Sequence, residues 1–231
     1  MQLSAVIFDF DGVLVDTERL HWGAVCDVIR PLDRDIKWEA YLATLVGFND
    51  RETFEILHRE WGVDYDETNI QFLIDAKARF FADHVDRGVQ LYPGVDALVR
   101  ALAGCVPVAV CSGASRADIE AVLARVDLDG LFDVIIAGDE VRCGKPAPEG
   151  YRLAIDRLSE RQPDAHLEPA RCVAIEDTPT GILAARAAGT KVLAVTNTFS
   201  DTELSEATWI VNELSGMTPA ALATMLNRLS D

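Results

Sequence analysis

The chain has 231 residues, 49% of them hydrophobic, with 21 Lys and Arg against 38 Asp and Glu for a formal net charge of -17. That length and apolar content suit one large domain, or a core with a smaller insert, and carry no signature of disorder. The excess of negative charge, with no lysine-rich block or basic helix, argues against nucleic acid and anionic membrane as partners, so an anionic ligand would need a local cationic pocket.

The first element is the apolar run Ala5-Val6-Ile7-Phe8, read as a buried strand, and it ends in Asp9-Phe10-Asp11-Gly12. Two carboxylates two residues apart lie on one side of an extended backbone, where they can share a metal and divide a reaction. Gly12 permits a sharp departure with no Cβ in the way, so the following amides can approach an anion. A plain acidic turn is the competing use of the same residues.

From Thr17 to about Arg87 no strand pattern is found. Four helices are expected instead, near Glu18 to Ile29, Lys37 to Val46, Arg51 to Trp61 and Asn69 to Val85. A helical stretch this long between consecutive strands should form its own small bundle, a cap over residues 16–87 inserted into a core of residues 1–15 and 88–231. Both of its connections lie beside strand ends, which makes it a candidate lid.

Past Pro93-Gly94 the pattern alternates. Val95, Leu98, Val99 and Leu102 give an amphipathic helix before the strand Val106 to Cys111. Ile119, Val122, Leu123 and Val126 give a second helix before the strand Val134 to Ala137, and Tyr151, Ala154, Ile155 and Leu158 a third. A polar connection from Arg161 to Ala170 precedes the strand Cys172 to Ile175. The helix Gly181 to Ala188 stops at Gly189, the strand Val192 to Val195 follows, and Leu222, Met225, Leu226 and Leu229 form a last helix. Such alternation predicts an α/β fold, a Rossmann-like parallel sheet covered on both faces, with its ligand site at the carboxyl ends of the strands.

Each strand end carries polar groups. Ser112-Gly113-Ala114-Ser115 offers a hydroxyl and backbone amides before a helix, an anion cradle in which Ser115 can cap while Ser112 faces the ligand. Lys145, ahead of Pro146, would be the counter-charge to an anion in so acidic a chain, although a lone lysine is usually a solvated surface charge. Glu176-Asp177 closes the next strand, where acids also suit the dipole of the following helix. Oxygen ligands without His or Cys favour Mg²⁺ over zinc. A carboxylate pair, a hydroxyl, a lysine and a second carboxylate pair are the parts that phosphoryl transfer uses.

With these motifs in this order, the chain resembles the haloacid dehalogenase superfamily of phosphatases and phosphomutases, along essentially its whole length. The helical insert directly after the first motif is similar to the subgroup that includes beta-phosphoglucomutase and phosphoglycolate phosphatase. The resemblance implies that Asp9 is a nucleophile forming an aspartyl-phosphate, and that Asp11 protonates the leaving oxygen and later activates water. It implies Mg²⁺ held by Asp9, the main-chain carbonyl of Asp11 and Asp177, with Glu176 in or behind the ligand set, and phosphate held by Ser112, Gly113 and Lys145. Asp11, aimed away from the cation, is expected to keep a proton near neutral pH.

His21 matches a histidine of the mutase relatives, and Gly47 with Arg51 lies near the position of their sugar-phosphate arginine, although Asp50 occupies the spacing itself. His21, Gly47, Phe48, Asn49 and Arg51 are therefore the candidate cap contacts. Arg51, Lys77 and Arg79, the insert cations that could cradle a second phosphate, miss the mutase spacing. The expected function is a Mg²⁺-dependent phosphatase of a small phosphorylated metabolite, with a sugar phosphomutase as the alternative. A phospho-receiver module is remote, because receivers pair adjacent acids at the first strand and lack a helical insert. Five cysteines with no CxxC pair and an N-terminus without a leader pattern suggest a cytoplasmic protein, expected to be a monomer.

Overall fold

The structure is a computed structural model that describes residues 3–46, 48–161 and 167–229. Among these, six strands form one sheet: β1 (Ala5–Phe8), β2 (Val108–Cys111), β3 (Val134–Ile136), β4 (Cys172–Glu176), β5 (Lys191–Val195) and β6 (Trp209–Val211). The order is β3-β2-β1-β4-β5-β6 and every pairing is parallel, with Ile7 opposite Ala109 on one side and Ala174 on the other. In this doubly wound order the strand sequence reverses between β1 and β4, and the crevice at their carboxyl ends is where a ligand lies.

The fold is the expected α/β, Rossmann-like arrangement. β1 is buried along its whole length because both faces are covered. Val6 and Phe8 point into one apolar layer with α5 (Val95–Leu102) and α6 (Arg116–Arg125), and Ala5 and Ile7 into the other with α7 (Glu149–Arg161) and α8 (Pro179–Ala187). Each large aliphatic side chain buried this way contributes about 1.5–3 kcal/mol. α9 (Pro219–Asn227) closes the first layer through Leu222 and Leu226.

β6 went unpredicted from the sequence. It is a three-residue edge strand, half-buried on every residue, so its pattern lacks the apolar run that marked the others. The strand expected to begin at Val106 begins at Val108. Pro107 has no N–H to donate and stands just ahead of the ladder.

Four helices fill the interval between β1 and α5: α1 (Glu18–Ile29), α2 (Trp38–Thr44), α3 (Asp50–Trp61) and α4 (Glu67–Arg87). α3 and α4 each open with a capping box, Asn49 with Glu52 and Asp66 with Asn69, which satisfies otherwise unpaired backbone donors. Val25, Ile29, Tyr41, Leu45, Phe54, Leu57, Ile70 and Leu73 make a core for this insert separate from the two sheet layers. The far end of α4 departs from it, since Phe81 and Val85 pack in the sheet layer with Leu14 and Val95. Its two connections run side by side, with Tyr92 N donating to Leu14 O at 3.1 Å and Asp16 N to Gln90 O at 3.0 Å.

Candidate active site

The chain turns sharply after β1 and brings the strand-end groups together. Asp9 Oδ1 accepts from Phe10 N at 2.7 Å and meets Lys145 Nζ at 2.7 Å. Lys145 Nζ also donates to Glu176 Oε1 at 2.7 Å, and the Tyr151 hydroxyl donates to the same oxygen at 2.5 Å. Glu176 Oε2 takes Asp177 N at 3.3 Å and the Thr178 hydroxyl at 3.2 Å. Both Glu176 oxygens are thus spent on holding Lys145 and the turn. Gly181 makes this possible, because a Cβ there would lie 2.0 Å from the Glu176 carboxylate.

Asp9, Glu176 and Asp177 bring one oxygen each to within 4.8 Å of one another, all buried. Both oxygens of Asp177 are shut away from solvent without a well-formed hydrogen bond, although the Thr198 hydroxyl lies near enough to lower its pKa. Burial and the neighbouring charges of Asp9 and Glu176 nonetheless hold Asp177 well above the usual carboxylate range. Burial and Glu176 raise Asp9 likewise, against the opposing pull of Lys145. Three buried acids facing one lysine leave negative charge uncompensated, and an oxygen-only donor set with an orphaned carboxylate fits a hard divalent cation. Gly12 closes the arrangement: its φ is +78°, and a Cβ would fall 1.9 Å from Asp177 Oδ2.

Asp11 sits on the other side of the turn. Its Oδ1 pairs with His21 Nε2 at 2.9 Å and accepts the Thr17 hydroxyl, and its Oδ2 accepts the Ser112 hydroxyl at 3.3 Å. Burial alone would raise Asp11, but the charge and hydrogen bond of His21 outweigh it and bring its pKa down to about 2. Burial and Lys77 act to lower His21, and Asp11 overcomes both, so His21 is held above its ordinary value. That lowering runs against the expectation that Asp11 itself keeps a proton near neutral pH. The ring of His21 stacks on Phe81 at 4.2 Å.

Ser112 Oγ accepts from Ala114 N at 2.9 Å, which folds the loop after β2 around the site, while Ser115 caps α6 by accepting from Asp118 N. The cap expected of Ser115 is present. Gly113, Ala114 and Lys145 line the same cavity as Asp9, Asp11 and His21.

The insert supplies the facing wall through Glu18, Tyr41, Phe48, Asp50, Thr53 and Lys77. Arg51 is not part of it. Its side chain is 40% exposed and forms a two-pronged pair with Glu67 at the start of α4, so that expectation is corrected. One residue of helix rotation turns Arg51 outward and Asp50 inward. Asn49 spends its side chain on the α3 cap, and Gly47 lies outside the described residues. Arg79 is exposed, whereas Lys77 is 1% exposed and lines the cavity. Thr17 and Tyr151 were missed by sequence reasoning, Thr17 because its place at the start of α1 reads as a cap and Tyr151 because it reads as core.

Glu18 accepts from the Tyr41 hydroxyl at 3.3 Å, and burial with the Asp11 charge raises its pKa from 4.5 to about 7. The folded chain then holds a proton that the unfolded chain releases, so stability falls as pH rises through that interval. Glu18→Gln keeps an acceptor for Tyr41 and removes the effect. In metal-free melts between about pH 5 and about pH 8 the variant is expected to lose less stability than the parent, by on the order of 1–3 kcal/mol. Parallel stability curves would show that Glu18 does not titrate there.

These features describe a Rossmann-like fold with a buried cluster of acids at the strand ends and a helical insert facing it. A haloacid dehalogenase-like hydrolase family model matches residues 3–189, and the chain belongs to that family as an enzyme of its phosphatase class. It is 32% identical over 230 residues to the protein CbbY of Rhodobacter capsulatus, covering 96% of this chain and 98% of that one. It is 31% identical to the fructose-1-phosphate phosphatase YqaB of Escherichia coli, covering 80% and 93%. The crystal structure of CbbY from Rhodobacter sphaeroides with phosphate superposes with a TM-score of 0.85 at 28% identity, over 96% of this chain and 99% of that one. A mutant of the same protein has been seen with xylulose-(1,5)bisphosphate. No helix among the described residues is long and apolar enough to cross a membrane.

Proposed function

We propose that the protein is a Mg²⁺-dependent phosphatase that hydrolyses a small sugar phosphate or similar monoester through a phosphate ester of Asp9. The observation that carries this is the meeting of Asp9, Asp11, Ser112, Lys145 and the orphaned Asp177 at the carboxyl edge of the sheet, on the segments that follow four neighbouring strands, β1 to β4. CbbY with phosphate and a fructose-1-phosphate phosphatase, as relatives, support the substrate class.

Asp9 attacks phosphorus, forming a phosphorus–oxygen bond as the ester bond breaks. The leaving oxygen takes the proton of the Asp11–His21 pair. Asp11 then removes a proton from the water that releases phosphate and frees Asp9. Lys145, held by Glu176 and Tyr151, and the amides after Ser112 stabilise the phosphoryl oxygens. Asp9, Asp177 and the main-chain carbonyl of Asp11 would hold the Mg²⁺, which supplies positive charge against those oxygens.

Residues 16–87 act as the cap of this core. The cavity between core and insert leaves about 50 Å³ for solvent, room for a few waters, and a swing of the insert about the paired connections at Asp16 and Gln90 would widen it for substrate.

A second reading is a sugar phosphomutase, favoured by one observation: Lys77 places a cation on the insert wall. Incubation with hexose monophosphates, with and without a bisphosphate activator, while following free phosphate and the isomeric ester, separates the two. Net phosphate release is expected. Rapid isomerisation with little phosphate released would establish the mutase.

A further inference from the structure

The end of the cavity that would meet the rest of the substrate has an unusual charge balance. Three basic side chains line the cavity, and each already faces an acid: Lys145 faces Asp9 and Glu176, His21 faces Asp11, and Lys77 faces two carboxylates. Lys77 Nζ is 3.0 Å from Asp50 Oδ1 on α3 and 3.3 Å from Asp118 Oδ2 on α6. Its ammonium also lies over the Phe81 ring at 4.7 Å. Those two acids keep its pKa raised against burial, so it remains a cation.

The group Lys77, Asp50 and Asp118 is therefore net negative, and no arginine lines the cavity among the described residues. A second phosphate brought there would add about 1.5–2 negative charges with no free cation to receive them. Its burial without a partner is strongly unfavourable. Hydroxyl groups are a different matter. Asp50 and Glu18 accept, and Tyr41, Thr53 and Lys77 donate, which is the complement of a polyol.

Resting on the phosphatase reading above, we infer that Asp50, by holding Lys77, restricts the enzyme to monoesters whose remaining part is an uncharged polyhydroxyl chain or ring, and excludes bisphosphates. Asp50 acts here as a positioning residue for specificity. It sits at the first helical position of α3, where its neighbour Arg51 is turned away to Glu67. An exchange of roles between these two adjacent residues would produce a cationic wall instead.

The test compares fructose monophosphate with fructose bisphosphate on the full chain. The monophosphate is expected to lead in kcat/KM by about tenfold or more. Asp50→Asn should shift that ratio toward the bisphosphate by about tenfold, and Asp118→Asn, which frees Lys77 from the core side, should move it the same way. Adding Lys77→Met to Asp50→Asn should cancel the gain. Equal use of both esters by the parent, or a ratio unchanged in both single variants, would overturn the inference.

Calorimetric binding of the two esters to the Asp9→Asn chain separates this from the parent reading. Discrimination in binding with no phosphate release by the unmodified enzyme would sink the phosphatase reading alone. Phosphate release without discrimination would sink the specificity inference alone.

Discussion

Asp9→Asn is expected to lower turnover by about 10³-fold or more, because an amide oxygen is too poor a nucleophile to take the phosphoryl group. The fold should survive. Asparagine keeps an oxygen for Phe10 N, and Lys145 keeps Glu176 as its partner. Stability should in fact hold or rise at neutral pH. Burial and Glu176 raise the Asp9 pKa, so the folded state pays for ionising it as pH rises, and the amide removes that cost. Rapid-quench measurement with a labelled sugar phosphate, alongside thermal melts, checks both halves. A variant with turnover within about tenfold of the parent would exclude covalent catalysis at this residue.

Asp177→Ala should abolish the response to Mg²⁺ and cost on the order of 10²-fold or more in activity. The two buried oxygens of Asp177 lack well-formed partners, and Asp9 and Glu176 press their charge on them. A divalent cation bound there relieves this repulsion in the folded state only. The parent should therefore gain thermal stability on titration with Mg²⁺, about 2.7 kcal/mol at a hundredfold excess over Kd. The alanine variant should show no such gain and, without the cation, should melt no lower than the parent. An unchanged Mg²⁺-induced rise in Tm would remove Asp177 from the cation site whatever the activity shows.

The core motifs were legible in the sequence because each follows a buried apolar run, and a parallel sheet sends every such run toward the same edge. Once Ala5–Phe8, Val108–Cys111 and Cys172–Glu176 are strands, the polar residues after them converge with little freedom. The insert was legible only as helices. Which residues face inward depends on where each helix begins, and α3 begins at Asp50 rather than Arg51, enough to reverse the two. Lys77 was visible as a cation but not as a buried one. Its partner Asp118 lies 41 residues away on a core helix, and no local pattern joins them. The contact between Asp11 and His21 was hidden for a similar reason, since it follows from the reach of α1 across the turn.

The path of α4 bears on how relatives of this enzyme could be recombined. One helix lends its first half to the insert's own core, Lys77 to the cavity, and Phe81 and Val85 to the layer beneath the sheet. A chimera that exchanged residues 16–87 as a cassette would carry half of another protein's foundation with it. The grafted helix would need side chains matched to Leu14 and Val95 below and to Asp118 across from it. Substrate preference in this architecture is therefore better transplanted by exchanging single wall positions than by exchanging the whole roof.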